Sequence, residues 1–367
     1  LNYTEAMLVQ FCFFGAYFII SPFAGKLIEK VGYQSGIIIG LLTIASGCFL
    51  FYPAAEIEVY LVFLLGLFIL ASGVTILQVS ANPYVAILGS EATAASRLNL
   101  AQAINSLGHT LGPMFGAALI FGAATTVVAA TAVQLPYLIL ASVMIITALV
   151  FSRIKLPVIK HIEDPHAAEV TSDSIFKHKP LLYGTLAIFL YVGAEVSIGS
   201  FLVNFFAESH IGGLTEHAAS KMVSYFWGAA MIGRFIGAAL MRVIKPTYLL
   251  ASNSVMVILL ITLTINSQGN IAMWAIISVG LFNSIMFPTI FTLAIKGLGP
   301  LTGRGSGLLC QAIVGGAILP MFQGLAADMT SVQASFIVPA FAYIYIAWYA
   351  LVGSKNSSEK QVVEVKA

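Results

Sequence analysis

Apolar runs of about 20 residues, the length a helix needs to cross a bilayer at ~1.5 Å per residue, recur from one end of the chain to the other with polar breaks between them. Eleven windows stand out, at about 5–23, 36–52, 58–88, 97–121, 134–152, 181–206, 218–243, 248–266, 271–294, 305–326 and 333–352, lettered here A to K. The apolar–polar alternation of outer-membrane barrel strands is absent. In lipid only a helix pairs its own backbone polar groups within one segment, so the pattern predicts an all-α integral membrane protein. Composition agrees: of 367 residues 59% are hydrophobic and 9% charged, with a mean hydropathy of +0.96, against about 25% charged in a soluble domain.

The break at 153–180 is long, charged and contains two interior prolines. It reads as a linker between an N-terminal half (1–152, five spans) and a C-terminal half (181–352, six spans), with 353–367 as a tail. Lys and Arg gather on the cytoplasmic side of membrane proteins. Here Lys26, Lys30, Arg97, Arg242, Lys296, Arg304 and the basic residues of the linker and tail all fall on one set of alternate connections, and Lys221 is the one basic residue on the other set. The C-terminus is therefore expected in the cytoplasm.

An internal repeat accounts for the odd span count. Gln78 precedes Pro83 by five residues as Asn283 precedes Pro288; Arg97, a QAI triplet and PMFG recur as Arg304, QAI and PMFQG; Gly25 and Lys30 recur as Gly237 and Arg242, all at offsets of about 205 to 212 residues. Subtracting that offset from span F lands before residue 1, which predicts one further helix upstream and an intact protein of two six-helix repeats. Parallel halves of this kind hold a substrate near the bilayer midplane and expose it alternately to either side.

Glu195 sits in the middle of span F and is the only acidic residue deep inside an apolar run. An ionised carboxylate there costs roughly 2.5–3.5 kcal/mol on insertion scales, so it persists where it faces water, a partner or a proton path. No basic residue lies at comparable depth in the sequence, which makes Glu195 the candidate proton-coupling residue. Polar amides cluster around the same depth. Span D carries Asn99, Gln102, Asn105 and His109 on one stripe about 120° wide, and span C carries Thr75, Gln78 and Asn82 on one face. With Asn283 on span I, Gln78, Asn82, Gln102 and Asn105 form a candidate substrate-binding set, because amides donate and accept and so replace the water around a neutral polyhydroxylated ligand. Interhelical hydrogen bonds, typically ~0.6–2 kcal/mol, account for the same amides without a ligand. Trp227 is the chief candidate ring for a sugar face, with Tyr225, Phe226, Tyr191, Phe282 and Phe287 as others. Lys30, Arg234 and Arg242 are candidate gating residues at helix ends.

Other classes lack their residues. There is no GxxxxGK[ST] phosphate loop, no HExxH and no repeated arginine spacing, and the three cysteines show no metal or disulfide pattern. The chain is not expected to be an enzyme, to hold a cofactor or metal, or to bind nucleic acid.

At AMLVQFCFFGAYFIISPFAGKLIEKVGY, LQVSANPYVAILG, SRLNLAQAINSLG, YVGAEVSIGSFLVNFF and FPTIFTLAIKGLG the chain resembles the fucose permease and glucose/galactose transporter branch of the major facilitator superfamily. The resemblance implies the major facilitator fold and a monomeric, proton-driven importer of neutral monosaccharides in a bacterial inner membrane. It also implies that Gln102 and Asn105 line the sugar cavity and that Lys26 to Lys30 match a degenerate gating loop. Fucose permease has an acid where this chain has Gln78 and an amide where it has Glu195, so the glucose/galactose type is the nearer match. N-acetylglucosamine or fucose as the sugar, sodium in place of the proton, and a non-transporting sensor or channel on the same scaffold stay open as alternatives.

Overall fold

The computed structural model describes residues 3–116, 130–157 and 172–355, and among them the regular structure is helical, with no strand. The helices are α1 (Tyr3–Ile57), α2 (Tyr60–Ile87), α3 (Ala94–Gly116), α4 (Gln134–Arg153), α5 (Lys179–Ala207), α6 (Glu216–Leu240), α7 (Pro246–Asn266), α8 (Gly269–Asn283), α9 (Met286–Ile295), α10 (Thr302–Gln311), α11 (Gly315–Met329), α12 (Val332–Ser335) and α13 (Ile337–Trp348). Nine stretches among the described residues are long and apolar enough to cross a membrane. α3 is helical but too polar to be one of them, as its stripe of amides dictates. α1 covers both span A and span B, broken at Gly32, whose φ of 79° is open to glycine and strained for other residues. The centre of the expected linker, 158–171, and the tail from 356 lie outside the described residues.

The chain divides into two compact units that do not follow its two halves. One takes α1, most of α2, α4 and α10; the other takes the greater part of α3 together with α5 to α9 and α11 to α13. In the first unit Phe51 of α1 is buried, stacked on Tyr137 of α4 at 3.9 Å and edge-on to Phe63 of α2 at 4.6 Å. Aromatic pairs of this kind add about 0.5–1.5 kcal/mol to their burial. In the second unit α5 is the central helix. Tyr191, Leu202, Phe205 and Phe206 are completely enclosed, and Phe205 meets Phe336 edge-on at 5.2 Å.

α5 begins at His178, whose Nδ1 accepts the Leu181 N–H at 3.3 Å while its ring also hydrogen-bonds the Lys296 backbone. That cap requires a ring nitrogen without a proton. Burial holds the imidazole below its ordinary range, with the backbone bonds pulling the other way. A histidine lowered in the folded chain stays neutral there while the unfolded chain, near 6.5, takes up its proton. Its contribution is therefore present above about pH 6.5 and lost as the pH falls further. Hydrogen exchange at Leu181 and Leu182 should quicken about fivefold between pH 7.5 and 5.5 after correction for intrinsic rates, the equivalent of a cap worth ~1 kcal/mol. His178→Asn, which caps without titrating, should abolish that pH dependence; equal pH dependence in the variant would sink the assignment.

Candidate functional site

Proline on two helices creates the polar sites at their cores. Pro288 in α9 has no N–H, so the carbonyl four residues earlier, Ser284, loses its helical partner, and the helix breaks between α8 and α9. Three consecutive carbonyls at that break are met by side chains from other helices. Asn253 Nδ2 donates to Phe282 O at 3.0 Å, Tyr191 Oη to Asn283 O at 3.1 Å, and Arg234 Nε to Ser284 O at 3.1 Å. In the repeat-related helix α2, Pro83 frees the Val79 carbonyl, and Ser306 Oγ of α10 donates to it at 3.0 Å. The same sequence cause has the same structural answer twice.

Glu195 lies one turn beyond Tyr191 on the same face of α5. The Tyr191 hydroxyl donates to Glu195 Oε1 at 2.7 Å, so one group serves both the carboxylate and the Asn283 carbonyl. Tyr191 is wholly buried, whereas the Glu195 side chain keeps partial exposure. Contrary to the sequence-based expectation, a basic residue does lie within electrostatic range of it: Arg234. The residue is 7% exposed, and its guanidinium holds the Ser284 carbonyl, the Gln102 carbonyl at 3.3 Å and the Ser106 hydroxyl. Arg234 is thus a buried cation joining α6, α3 and the α8–α9 break rather than a residue reaching for a helix end. α6 can come this close because Gly233 faces Leu281 O, where a Cβ would collide.

The remaining candidates divide between the units. Gln102, half-buried on α3, accepts from Asn105 Nδ2 at 3.2 Å, and Asn105 is exposed. Trp227 stands edge-on to Phe226 at 5.1 Å and lies over Gly199, one turn past Glu195. Asn283 is fully enclosed, with the buried Tyr343 beside it. These belong to the unit that holds Glu195. Tyr191 and Phe226, named as possible sugar platforms, are wholly buried among packed helices and leave no ring face open. Gln78 and Asn82 belong to the other unit. There Gln78 Nε2 donates to the buried Tyr17 hydroxyl at 3.0 Å, and Asn82 is buried. The His109 side chain lies outside the described ones.

Of the gating candidates, Lys30 and Arg242 are exposed. The ion pair near Lys30 is formed by its neighbour: Glu29 of α1 takes Arg304 Nε of α10 at 2.7 Å, close to where Gly25 and Gly303 pack backbone to backbone. Sequence reasoning passed over Glu29, whose partner lies 275 residues away. No group of three His, Cys, Asp or Glu able to hold a metal occurs among the described residues. The Glu195 constellation is suited to taking and releasing a proton: a partly exposed carboxylate, one donor, and a buried cation of opposite charge.

The family model described as Major Facilitator Superfamily matches residues 1–312. The chain is 54% identical over 359 residues to the glucose/galactose transporter of Brucella abortus, covering 97% of this chain and 87% of that protein. It is 32% identical to the L-fucose-proton symporter of Escherichia coli over 96% of this chain and 86% of that one. Among solved structures, the crystal structure of the transporter FucP in the outward conformation superposes with a TM-score of 0.89 at 31% identity, over 97% of this chain and 91% of that chain.

Arg234→Leu would leave the Ser284 carbonyl and the Glu195 carboxylate without their shared cation. Each buried acceptor left without its donor costs about 1–3 kcal/mol, and Arg234 serves the Ser284 and Gln102 carbonyls and the Ser106 hydroxyl, so the variant should melt well below the parent in detergent. Arg234→Lys keeps the charge without the planar fork and should recover only part of the loss. A leucine variant that melts with the parent would show that the guanidinium is not holding the break.

Proposed function

The chain belongs to the Major Facilitator Superfamily, and from that premise we propose that it is a proton-coupled symporter importing a neutral hexose of the glucose/galactose type by alternating access. The observation that carries this reading is Glu195, a partly exposed carboxylate in mid-helix held by Tyr191 and set against the buried Arg234. Protonation removes its charge, and with it the cost of carrying an ion through a closed, dry state. Deprotonation at cytoplasmic pH resets the cycle. Relatives named glucose/galactose transporter and L-fucose-proton symporter support the two halves of the reading, sugar and proton.

Gln78, Asn82, Gln102 and Asn105 supply amide contacts to the sugar hydroxyls in this proposal, with Trp227 as the ring against its apolar face, while the enclosed Asn283 serves the site through its carbonyl. Lys30, Arg234 and Arg242 act in gating. Counting α1 as two spans and α3 as one gives eleven, completed to twelve by a helix upstream of residue 1, with the C-terminus on the cytoplasmic side of a bacterial inner membrane and the protein a monomer.

The test is uptake of labelled glucose, galactose, N-acetylglucosamine and fucose into proteoliposomes with an inward proton gradient, an inward sodium gradient, or neither. One hexose should accumulate only when protons are supplied. Glu195→Gln should retain exchange and lose accumulation by at least about tenfold, as expected when a step worth ~1.4 kcal/mol or more is uncoupled. Accumulation driven by sodium alone, or unchanged in Glu195→Gln, would refute the assigned coupling.

A further inference from the structure

Tyr191 is within hydrogen-bond distance of two acceptors, Glu195 Oε1 at 2.7 Å and the backbone carbonyl of Asn283 at 3.1 Å, and its hydroxyl has a single hydrogen. Both oxygens cannot be fully served at once. An ionised carboxylate is the stronger acceptor and holds that hydrogen. A protonated Glu195 has a hydrogen of its own, which it can donate to the lone pairs of Tyr191 Oη. We propose that Tyr191 is the positioning residue that reports the protonation state of Glu195 to the break between α8 and α9. On this assignment, proton uptake by Glu195 turns the phenolic hydrogen from the carboxylate to the Asn283 carbonyl, and proton release turns it back. The proton enters from water and leaves to water, and Tyr191 stays neutral throughout. The inference rests on the reading of Glu195 as the proton carrier.

The placement makes the switch local. Of the three carbonyls at the break, Phe282 is held by Asn253 and Ser284 by Arg234, whichever state Glu195 is in. Only the bond to Asn283 is shared with a titrating group. That carbonyl ends α8, and the chain turns through Ser284 and Ile285 before α9 begins, so its bond bears on the joint between the two segments. The ionisable or charged groups facing Glu195 are Tyr191 on its own helix, Arg234 from α6 and Tyr343 from α13. α9 and α12 have no ionisable side chain, and α11 has Asp328, exposed at its far end. Tyr191 and Asn283 are both enclosed, so water does not replace the hydroxyl at the Asn283 carbonyl.

Tyr191→Phe removes the hydroxyl and keeps the ring that fills the core. Measured in proteoliposomes with labelled galactose and glucose, across external pH 5.5 to 8, the variant should exchange sugar within about twofold of the parent. It should lose gradient-driven accumulation about tenfold at every pH, the loss expected of a coupling worth ~1.4 kcal/mol. Combined with Glu195→Gln it should add nothing, as two steps in one relay are not additive. If the hydroxyl merely steadied the carboxylate, the pH profile would move by about one unit and accumulation would return at the shifted pH; that result overturns the relay. Glu195→Gln alone separates the two proposals. Unchanged accumulation in that variant defeats the proton assignment, whereas an uncoupled Glu195→Gln beside a fully coupled Tyr191→Phe defeats only the relay. Should Tyr191→Phe fail to fold, infrared spectra of the unaltered protein labelled with carbonyl ¹³C asparagine answer the same question. Acidification should lower one labelled amide frequency, absent in Glu195→Gln, and no such band means no switch.

Discussion

A backbone carbonyl in a bilayer has no water to turn to, and the polar sites of this protein form at two of the places where proline takes its partner away. At Pro288 and Pro83 the ring removes one N–H, leaving the oxygens of Ser284 and Val79 to be met from another helix. Ser306 does so for Val79 with one neutral hydroxyl. For Ser284 the donor is a guanidinium, and a buried guanidinium needs an opposing charge and further acceptors. That requirement draws in Ser106 and Gln102 from α3 and sets Glu195 within range. The polar centre follows from one missing hydrogen bond and the choice of a charged group to replace it.

The two repeat-related sites show how a duplicated framework acquires unequal chemistry. The carbonyl freed by proline is common to both, but α2 runs on through Pro83 where α8 and α9 part, and the first copy is neutral: Gln78 is tied to Tyr17, and Val79 to Ser306. The second copy holds all the charge. The buried guanidinium and the partly exposed carboxylate lie within electrostatic range of each other, so each lowers the cost of the other's charge.

Long apolar runs make the all-helical membrane architecture legible because they are a local property, and in lipid the backbone has few alternatives. Glu195 was equally plain, a single acid in an apolar run. Its relation to Tyr191 is also within reach, since residues four apart share a helix face; the ring of that tyrosine is enclosed, and its hydroxyl makes the contacts. Arg234 was legible only as a basic residue two turns from a helix end. Its actual place depends on Pro288, more than fifty positions away, and on how closely Gly233 lets two helices approach. Glu29 was hidden for the same reason, its partner Arg304 standing near the other end of the chain. Of the amide stripe of α3, Asn99 is buried against Met241 and Thr289 while Asn105 is exposed, a difference that helical periodicity does not carry.

That last feature reaches into how the molecule is made. α3 is bound through Ser96 to Ala238, through Ser106 to Arg234, and through Asn99 to Thr289, across 142, 128 and 190 positions of sequence. As the chain emerges from the ribosome, α3 is made long before any of those partners exists. The first half cannot therefore settle into its final packing on its own. The bonds of α3 to these residues close only after α6 and α9 have been made.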